Sequence, residues 1–218
     1  FIKLNSYKFR SKVEILNLSN EFVVAVLSRE KFLTLENSKD VLGYTTKFRE
    51  DPIYLDPRHK DLGARLITNL EKLHLSLKLL ELKSSNLDEY YSVSNKLGIP
   101  QINTDKLQNN LFGIECNLNE LNGIDFKKGC YVGQENTARI KLKDKLSKRL
   151  FPVEVIEGDL SKDNIIHHEN TELGKVLIND KFPFAIVKFK DKNFKFEKIF
   201  KCGSASVKIK KPYWFKFD

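Results

Sequence analysis

The stretch FKKGCYVGQE, residues 126–135, gathers several groups that could do chemistry within ten positions. A thiol, Cys130, lies directly after Gly129, and Gly133 follows three positions later. Glycine lets the backbone turn sharply and lets another group approach closely. Two lysines precede Gly129, and nearby ammonium groups favour the thiolate form of a cysteine. The stretch therefore predicts a cysteine that can react as a thiolate.

The polar end of the same stretch could bind a flat ligand, but its residues also fit a purely structural turn. Gln134 and Glu135 offer an amide and a carboxylate, and Tyr131 offers a ring face on which a heterocycle could stack. In the structural interpretation, both glycines serve a strand-to-helix turn, Cys130 is a small buried apolar residue and Glu135 begins a helix. The residue types by themselves leave both interpretations open.

Composition limits the class of protein. The chain has 218 residues, of which 41% are hydrophobic and 31% charged, which is typical of a globular protein with room for two units. No window approaches the run of about 18 apolar residues that a membrane helix needs, and no signal-peptide pattern opens the chain. Because the chain begins with Phe1 and contains no methionine, we expect a fragment, a processed chain or a sequence that has lost its methionines.

Cysteine usage and charge narrow the choice of partners. Three widely spaced cysteines form no CxxC motif and no Cys/His cluster, so the chain alone predicts no zinc or iron–sulfur site and favours a reducing intracellular compartment. The net charge of +9 would suit an anionic partner such as RNA or a polyglutamyl tail. The lysines are spread along the whole chain, however, which disfavours nucleic-acid binding and favours a bias of genome composition.

Hydrophobic periodicity predicts a mixed first part of the chain. Strands are predicted at residues 12–19, 21–28, 53–57 and 62–67, and a short helix at residues 30–40. In that helix Phe32, Leu33 and Leu35 are expected to face inward. Residues 69–83 are ambiguous between helix and strand.

The second part is predicted to begin with a helix and to end in an all-β unit. Residues 87–100 form the clearest helix, with Asn86 as its N-cap and Gly98 and Pro100 as its stop. Polar loops at residues 101–125 lead to the cysteine stretch. From about Leu150, short alternating runs predict a small antiparallel barrel with a boundary near residues 145–148. The runs are residues 151–158, 172–180, 182–190, 193–200 and 205–211.

KGCYVGQE, residues 128–135, resembles the signature of the YgfZ family. These are folate-binding proteins of iron–sulfur cluster maturation, related to the glycine-cleavage T-protein, an aminomethyltransferase. Further segments resemble the family in the same order along the chain. They are YKFRSKVEI at 7–15, DPR at 56–58, LGAR at 62–65, GIP at 98–100, LNGIDF at 121–126 and ELGKV at 172–176. The resemblance therefore covers most of the chain.

The resemblance implies an α+β fold. A ferredoxin-like α/β, T-protein-like folate-binding domain is expected at residues 1–147, with its N-terminal part missing, and a small antiparallel β-barrel domain at residues 148–218. It implies a tetrahydrofolate-binding accessory factor, without turnover of its own, for assembly or repair of four-iron four-sulfur clusters in client enzymes. The alternatives are a folate-dependent aminomethyltransferase of the T-protein type and an RNA-associated protein linked to tRNA modification.

The resemblance also implies a set of site residues. Cys130, at the rim of the pocket, would act in redox chemistry or make a transient iron–sulfur contact. The cluster contact would be transient because one cysteine cannot supply the four thiolates that a four-iron cluster usually takes. Glu115 or Glu135 would bond the pterin edge of tetrahydrofolate. The full folate-binding set that is implied comprises Glu115, Lys128, Gly129, Tyr131, Gly133, Gln134, Glu135, Arg139 and Arg65. No resident metal is expected.

The implied partners are iron–sulfur client enzymes and cluster-assembly proteins, with tRNA only indirectly and no membrane. The implied compartment is a bacterial cytoplasm, or the mitochondrial matrix if the source is eukaryotic.

Three groups outside the cysteine stretch have two interpretations each. Asp56 with Arg58 and Arg65 is interpreted as a self-contained salt-bridged corner, in preference to a site for the glutamate tail of folate. His167 and His168 are interpreted as part of a surface turn, in preference to metal ligands. The aromatic residues 213–215 are predicted to form a strand that packs onto the barrel.

Overall fold

Two units make up the chain, Phe1–Ser85 and Asn86–Asp218, in a computed structural model that describes residues 1–131, 133–142, 146–160 and 164–216. The first unit holds a four-stranded antiparallel sheet and the second a closed six-stranded barrel, so the predicted mixture of helices, strands and a small barrel is confirmed. The ferredoxin-like, T-protein-like fold and the domain boundary between residues 147 and 148 stay predictions. Within the described ranges, no helix has the length and apolarity needed to cross a membrane.

The Phe1–Ser85 unit is built on a sheet with the strand order β1-β4-β3-β2. The helices are α1 (Ile2–Tyr7), α2 (Arg29–Leu33) and α3 (Leu70–Leu79), and the strands are β1 (Val23–Leu27), β2 (Thr45–Phe48), β3 (Asp51–Leu55) and β4 (Ala64–Thr68). Phe32 packs with Ile53, Leu55, Ala64 and Leu66 in the buried core of this unit. One face of the sheet is thus apolar and buried, as the period-two pattern of its strands requires.

Two secondary-structure predictions for this unit are wrong in whole or in part, and one ambiguous segment is resolved. The predicted strand at residues 12–19 is wrong: it forms no β ladder, and Val13 and Leu16 are exposed, because an alternating pattern makes a strand only where another strand pairs with it. The predicted helix at residues 30–40 ends at Leu33, which is itself exposed rather than inward-facing. The ambiguous residues 69–83 contain helix α3, whose first turn is capped by the Asn69 side chain accepting from the Lys72 amide.

The corner after β3 is held by a buried carboxylate. Asp56 is 1% exposed and accepts hydrogen bonds from Arg58 Nε at 3.0 Å, Arg58 Nη2 at 2.8 Å and Arg65 Nε at 2.8 Å. Burial by itself would raise the pKa of Asp56, but the hydrogen bonds from Arg58 and Arg65 outweigh it and hold that pKa below its usual value. The predicted salt bridges of this corner are therefore confirmed, and the alternative role of Arg65 in folate binding stays a prediction.

The Asn86–Asp218 unit joins two helices to the barrel. The helices are α4 (Leu87–Lys96) and α5 (Gln134–Leu142), with a 3₁₀ turn at Thr104–Leu107. The barrel strands are β5 (Arg149–Glu157), β6 (Ile165–His168), β7 (Thr171–Ile178), β8 (Phe184–Val187), β9 (Ile199–Cys202) and β10 (Ala205–Ile209), in the closed order β10-β5-β8-β7-β6-β9. Each of the six described strands therefore pairs with two neighbours, so the barrel manages its edges by closure.

Helix α4 begins at Leu87, as predicted, and ends at Lys96, two residues before the predicted stop at Gly98 and short of the predicted end at residue 100. The Asn86 side chain accepts from the Asp88 amide at 3.0 Å. Gly98 follows the helix with φ of +70°, and a Cβ there would come within 2.8 Å of the Pro212 ring. Glycine is therefore required at this position both for its backbone conformation and for space.

The structure corrects three predictions in the barrel. His167 and His168 lie in strand β6, not in a turn, because the reversal comes at the next residue, Glu169, whose φ is +52°. The run at residues 193–200 is a strand only from Ile199 onward. Residues 213–215 form a turn rather than the predicted strand. Phe215 nevertheless packs into the barrel core, as predicted.

Asp56→Asn tests the salt-bridged corner. The variant leaves two guanidinium groups around a buried neutral amide, so we expect the free energy of unfolding to fall by about 2–3 kcal/mol. Urea unfolding followed by circular dichroism measures it. Asp40→Asn is the matched control, because Asp40 also pairs with two cations, Arg29 and Lys60, but at the surface. A smaller loss is expected there, and equal losses in both variants would contradict the account.

The same corner predicts a pH dependence. Because the pKa of Asp56 is lower in the folded than in the unfolded chain, its stabilisation is complete above a pH of about 4, the ordinary carboxyl value. It is lost as the pH falls through the lowered folded pKa. The difference in stability between the wild-type chain and Asp56→Asn should therefore shrink in acid and stay constant from weakly acidic to neutral pH.

Candidate functional site

Residues 115–125, which precede the cysteine stretch and are called the lead-in below, are attached to strand β5 by Asn117. This side chain is fully buried, and its Nδ2 donates to the Leu150 carbonyl at 2.8 Å. The Leu150 amide in turn donates to the Glu115 carbonyl at 2.9 Å. Asn117 has a φ of +62°, a conformation that asparagine tolerates better than most residues. The lead-in therefore has a defined place on the barrel wall.

Arg149 completes this attachment. Its Nη1 donates to Asn117 Oδ1 at 3.0 Å, and its Nη2 donates to Glu120 Oε1 at 2.6 Å. The guanidinium group lies 5.7 Å from the centre of the Phe189 ring and 5.4 Å from that of Phe215. A planar, delocalised cation is suited to such a place, because it can stack and form directed hydrogen bonds at the same time.

The cysteine stretch is anchored at both of its ends. On the N-terminal side, Ile124 and Phe126 pack against the barrel core, and on the C-terminal side Ile140 of helix α5 does the same. Lys141, also on α5, places its Nζ 3.6 Å from the centre of the Phe126 ring and 3.4 Å from Asn119 Oδ1. Lys141 therefore connects helix α5 both to Asn119 of the lead-in and to Phe126, the first residue of the stretch.

Between these anchors the loop is open. Cys130 is exposed, and a Cβ added to Gly129 or Gly133 would meet no atom within 4 Å. Gly133 has a φ of +85°, which requires glycine or a strained residue directly before α5. The Nζ of Lys128 lies 4.8 Å from the centre of the Tyr131 ring. Val132 lies outside the described residues.

The geometry decides part of the structural interpretation of this stretch. A helix does begin here, at Gln134, so Glu135 lies in its first turn as expected. None of the described residues from Phe126 to Gly133 lies in a strand, and Cys130 is exposed rather than buried, so those two parts are wrong. The buried-cysteine expectation fails because the anchoring apolar contacts come from Phe126 and Ile140 and leave the loop between them exposed.

The carboxylates predicted to bind the pterin edge already have partners within this unit. Glu135 Oε1 accepts from Arg139 Nη2 at 2.5 Å on the exposed side of α5. Glu115 Oε2 accepts from the Phe112 amide at 2.9 Å. Lys128, Gly129, Tyr131 and Gln134 share the loop and the helix start with Cys130, whereas Arg65 belongs to the Phe1–Ser85 unit. Their roles in binding stay predictions.

Sequence reasoning missed Asn117, Arg149 and Lys141, the residues that hold the lead-in and helix α5 in place. The available signals were weak. Asparagine is enriched at positive φ, and the lead-in contains several asparagines. An arginine in a chain dominated by lysine indicates a site where a stacked, planar cation is needed.

The three thiols have different environments. Cys202 is fully buried in the barrel core. Burial, and then the nearby charge of Glu115, raises the pKa of Cys116 to about 11. Cys130 alone of the three is exposed. Among the residues that the structure describes, no group of three or more His, Cys, Asp or Glu side chains could hold a metal ion.

We expect iodoacetamide to modify Cys130 at least about 100-fold faster than Cys116 at neutral pH, because the thiolate is the reactive species and Cys116 is both half-buried and protonated. Peptide mass spectrometry after timed quenching measures the rates. In urea the three cysteines should react at similar rates. Comparable rates for Cys116 and Cys130 in the folded chain would contradict these environments.

Comparison with known proteins connects this geometry to a class of protein. No family model matches the chain. The chain is 30% identical over 164 residues to "Iron-sulfur cluster assembly factor IBA57 homolog, mitochondrial" of Dictyostelium discoideum, a match that spans 75% of this chain and 40% of that protein. It is 33% identical over 164 residues to the mouse "Iron-sulfur cluster assembly factor IBA57, mitochondrial", spanning 74% of this chain and 43% of that protein.

The human protein of the same name is 35% identical over 102 residues, which are 47% of this chain and 28% of that protein. The chain therefore spans less than half the length of these curated relatives. The expected likeness to proteins of iron–sulfur cluster maturation is confirmed by their names, and this chain is similar to a part of a mitochondrial iron–sulfur cluster assembly factor.

Proposed function

We propose that this chain is part of an iron–sulfur cluster assembly factor of the YgfZ type, in which Cys130 contacts a cluster or its iron while a partner supplies the other ligands. The observation that carries the proposal is the exposed Cys130 on a loop whose two ends are fixed to the barrel. The likeness of about three quarters of the chain to cluster assembly factors supports it.

The proposed cluster contact of Cys130 needs further ligands from outside the described residues. A four-iron cluster usually takes four thiolates, and no metal-binding group of three or more ligands exists among the residues described. Cys130 therefore provides one ligand in a shared, transient complex with a cluster-assembly protein or a client enzyme. Lys127 and Lys128, both exposed beside it, place positive charge where an anionic thiolate-bound cluster would approach.

Tetrahydrofolate is the proposed cofactor, and the residues of this unit fit it only in part. Tyr131 offers a ring face, and the backbone at Gly129 and Gly133 is open to close approach. The carboxylates of Glu115 and Glu135 are engaged by neighbours. The described residues of the loop therefore offer one ring face and an open backbone to a folate, but no enclosed pocket.

The proposed role is that of an accessory factor without turnover of its own, acting on four-iron four-sulfur client enzymes. The names of the relatives favour the mitochondrial matrix if the source is eukaryotic. A bacterial protein of this kind would act in the cytoplasm.

Cluster delivery tests the role of Cys130. An apo four-iron enzyme such as apo-aconitase is reactivated with ferrous iron, sulfide and thiol in the presence of the protein. We expect Cys130→Ser to lower the stimulated rate by about tenfold or more, because a serine hydroxyl is a poor substitute for a thiolate ligand. Cys116→Ser is the matched control and should retain the stimulation, since its thiol is half-buried and protonated. Full stimulation by Cys130→Ser would remove this residue from the proposal.

Calorimetric titration with tetrahydrofolate tests the cofactor separately. The protein is used at the full length of its gene, as wild type and as Cys130→Ala. Saturable binding with similar affinity in both is expected, because the exposed thiol lies beside the proposed ring contacts. Loss of binding in Cys130→Ala alone would place the thiol within the pocket. Absence of binding in both would refute the folate proposal and leave the cluster experiment unaffected.

A further inference from the structure

We propose that a cleft on the outer wall of the barrel, apart from the cysteine loop, binds a small oxyanion group, a phosphate or a carboxylate. The cleft has a volume of about 180 Å³ and lies beside strands β7 and β8, with Asn110 at its rim. Lys148, Lys175 and Lys188 line it together with one acidic residue, Glu172. None of its lining residues belongs to residues 126–135, so this site is independent of the proposed function.

The barrel brings the three lysines together from strand β7 and from the paired ends of strands β5 and β8. Strand β5 pairs with β8 so that its first residue, Arg149, lies opposite Val187, the last residue of β8. Lys148 directly precedes Arg149, and Lys188 directly follows Val187. Strand β7 pairs with β8 so that Lys175 lies opposite Ile186. Like charges held close together repel one another, and an anion bound between them relieves that repulsion.

The single acid of the cleft compensates only one of these cations. Lys188 Nζ donates to the Glu172 carbonyl at 2.9 Å and lies 3.6 Å from Glu172 Oε1. The lining therefore keeps a surplus of positive charge from Lys148 and Lys175, both of which are exposed. A concave surface with a surplus of one sign of charge concentrates counter-ions of the other sign.

The floor of the cleft is formed where β7 and β8 approach closely. A Cβ on Gly174 would come within 2.3 Å of the Ile186 carbonyl oxygen, so only glycine permits this approach. Leu177 and Ile186, both half-buried, provide apolar surface beside the ammonium groups. Apolar surface beside a charged group lowers the local dielectric constant, which strengthens its ion pair with a bound anion.

The size of the cleft limits the ligand. Pockets for drug-sized molecules and cofactors usually occupy about 300–1,000 Å³. A cleft of about 180 Å³ accepts one phosphate or carboxylate group but not a whole nucleotide. The ligand is therefore a small oxyanion, or the charged end of a larger molecule whose remainder stays in solvent.

Titration of the whole chain with inorganic phosphate and, separately, with succinate tests the site. Amide shifts in two-dimensional NMR spectra are recorded against sodium chloride at matched ionic strength. Saturable shifts at Leu173, Gly174 and Lys175 are expected. Saturation by phosphate alone identifies a phosphate ligand, saturation by succinate alone identifies a carboxylate ligand, and saturation by both identifies a general oxyanion site. If neither anion saturates these shifts beyond chloride, the proposal is wrong.

Three variants make the result specific. Lys175→Gln and Lys148→Gln should each weaken binding by about three- to fivefold, whereas Glu172→Gln should tighten it by a similar factor because it removes the competing carboxylate. Lys210→Gln is the matched control, since Lys210 is an exposed barrel lysine that pairs with Glu154 outside the cleft. An equal loss in Lys210→Gln, or no gain in a folded Glu172→Gln, would show non-specific charge screening and overturn the site.

Discussion

The placement of the candidate site depends on the buried side chain of Asn117. Its amide group satisfies the Leu150 carbonyl on one side and accepts from Arg149 on the other, so one residue joins the lead-in to the first strand of the barrel. A buried amide is costly unless its hydrogen bonds are made, and here the loss of one partner would leave several polar groups unsatisfied. Arg149 is itself held beside two phenylalanine rings, which limits the ways in which this attachment can rearrange. These hydrogen bonds therefore attach the lead-in, and with it one end of the loop that follows, to the barrel.

The loop that carries Cys130 is attached at both ends and open between them. Phe126 and Ile140 bury their apolar surface against the barrel core, and Lys141 spans the gap between helix α5 and Phe126. Cys130 lies between these anchors without cover, so a partner can reach the thiol without any unfolding of the chain. The other two thiols are withdrawn by burial, which confines reactivity to a single position. A shared metal ligand needs this combination of a fixed loop and an accessible sulfur atom.

In the Phe1–Ser85 unit, buried and paired carboxylates connect strand β3 to its neighbours. Strand β3 begins with Asp51 and is followed by Asp56, and both carboxylates are buried and paired. Asp51 accepts from Lys72 Nζ at 2.8 Å and from Thr68 Oγ1 at 2.5 Å, and these bonds lower its pKa. Each carboxylate thus ties the strand to a neighbouring element. A small sheet with a limited apolar core gains definition from such pairs, because breaking one leaves an uncompensated charge.

Local patterns in the sequence determined what depends on local physics. Alternating runs predicted the barrel, Asn86 and Gly98 predicted the limits of helix α4, and the residue types at 126–135 indicated a candidate site. Tertiary structure decided what depends on distant partners: that residues 12–19 pair with no strand, that His167 belongs to β6, and that Cys130 is exposed. It also decided that Asn117 and Arg149 hold the lead-in, because their partners lie more than thirty residues away in the chain. Periodicity reports the shape of one segment, whereas burial and hydrogen bonding are properties of two segments, and only the fold brings the second one into contact.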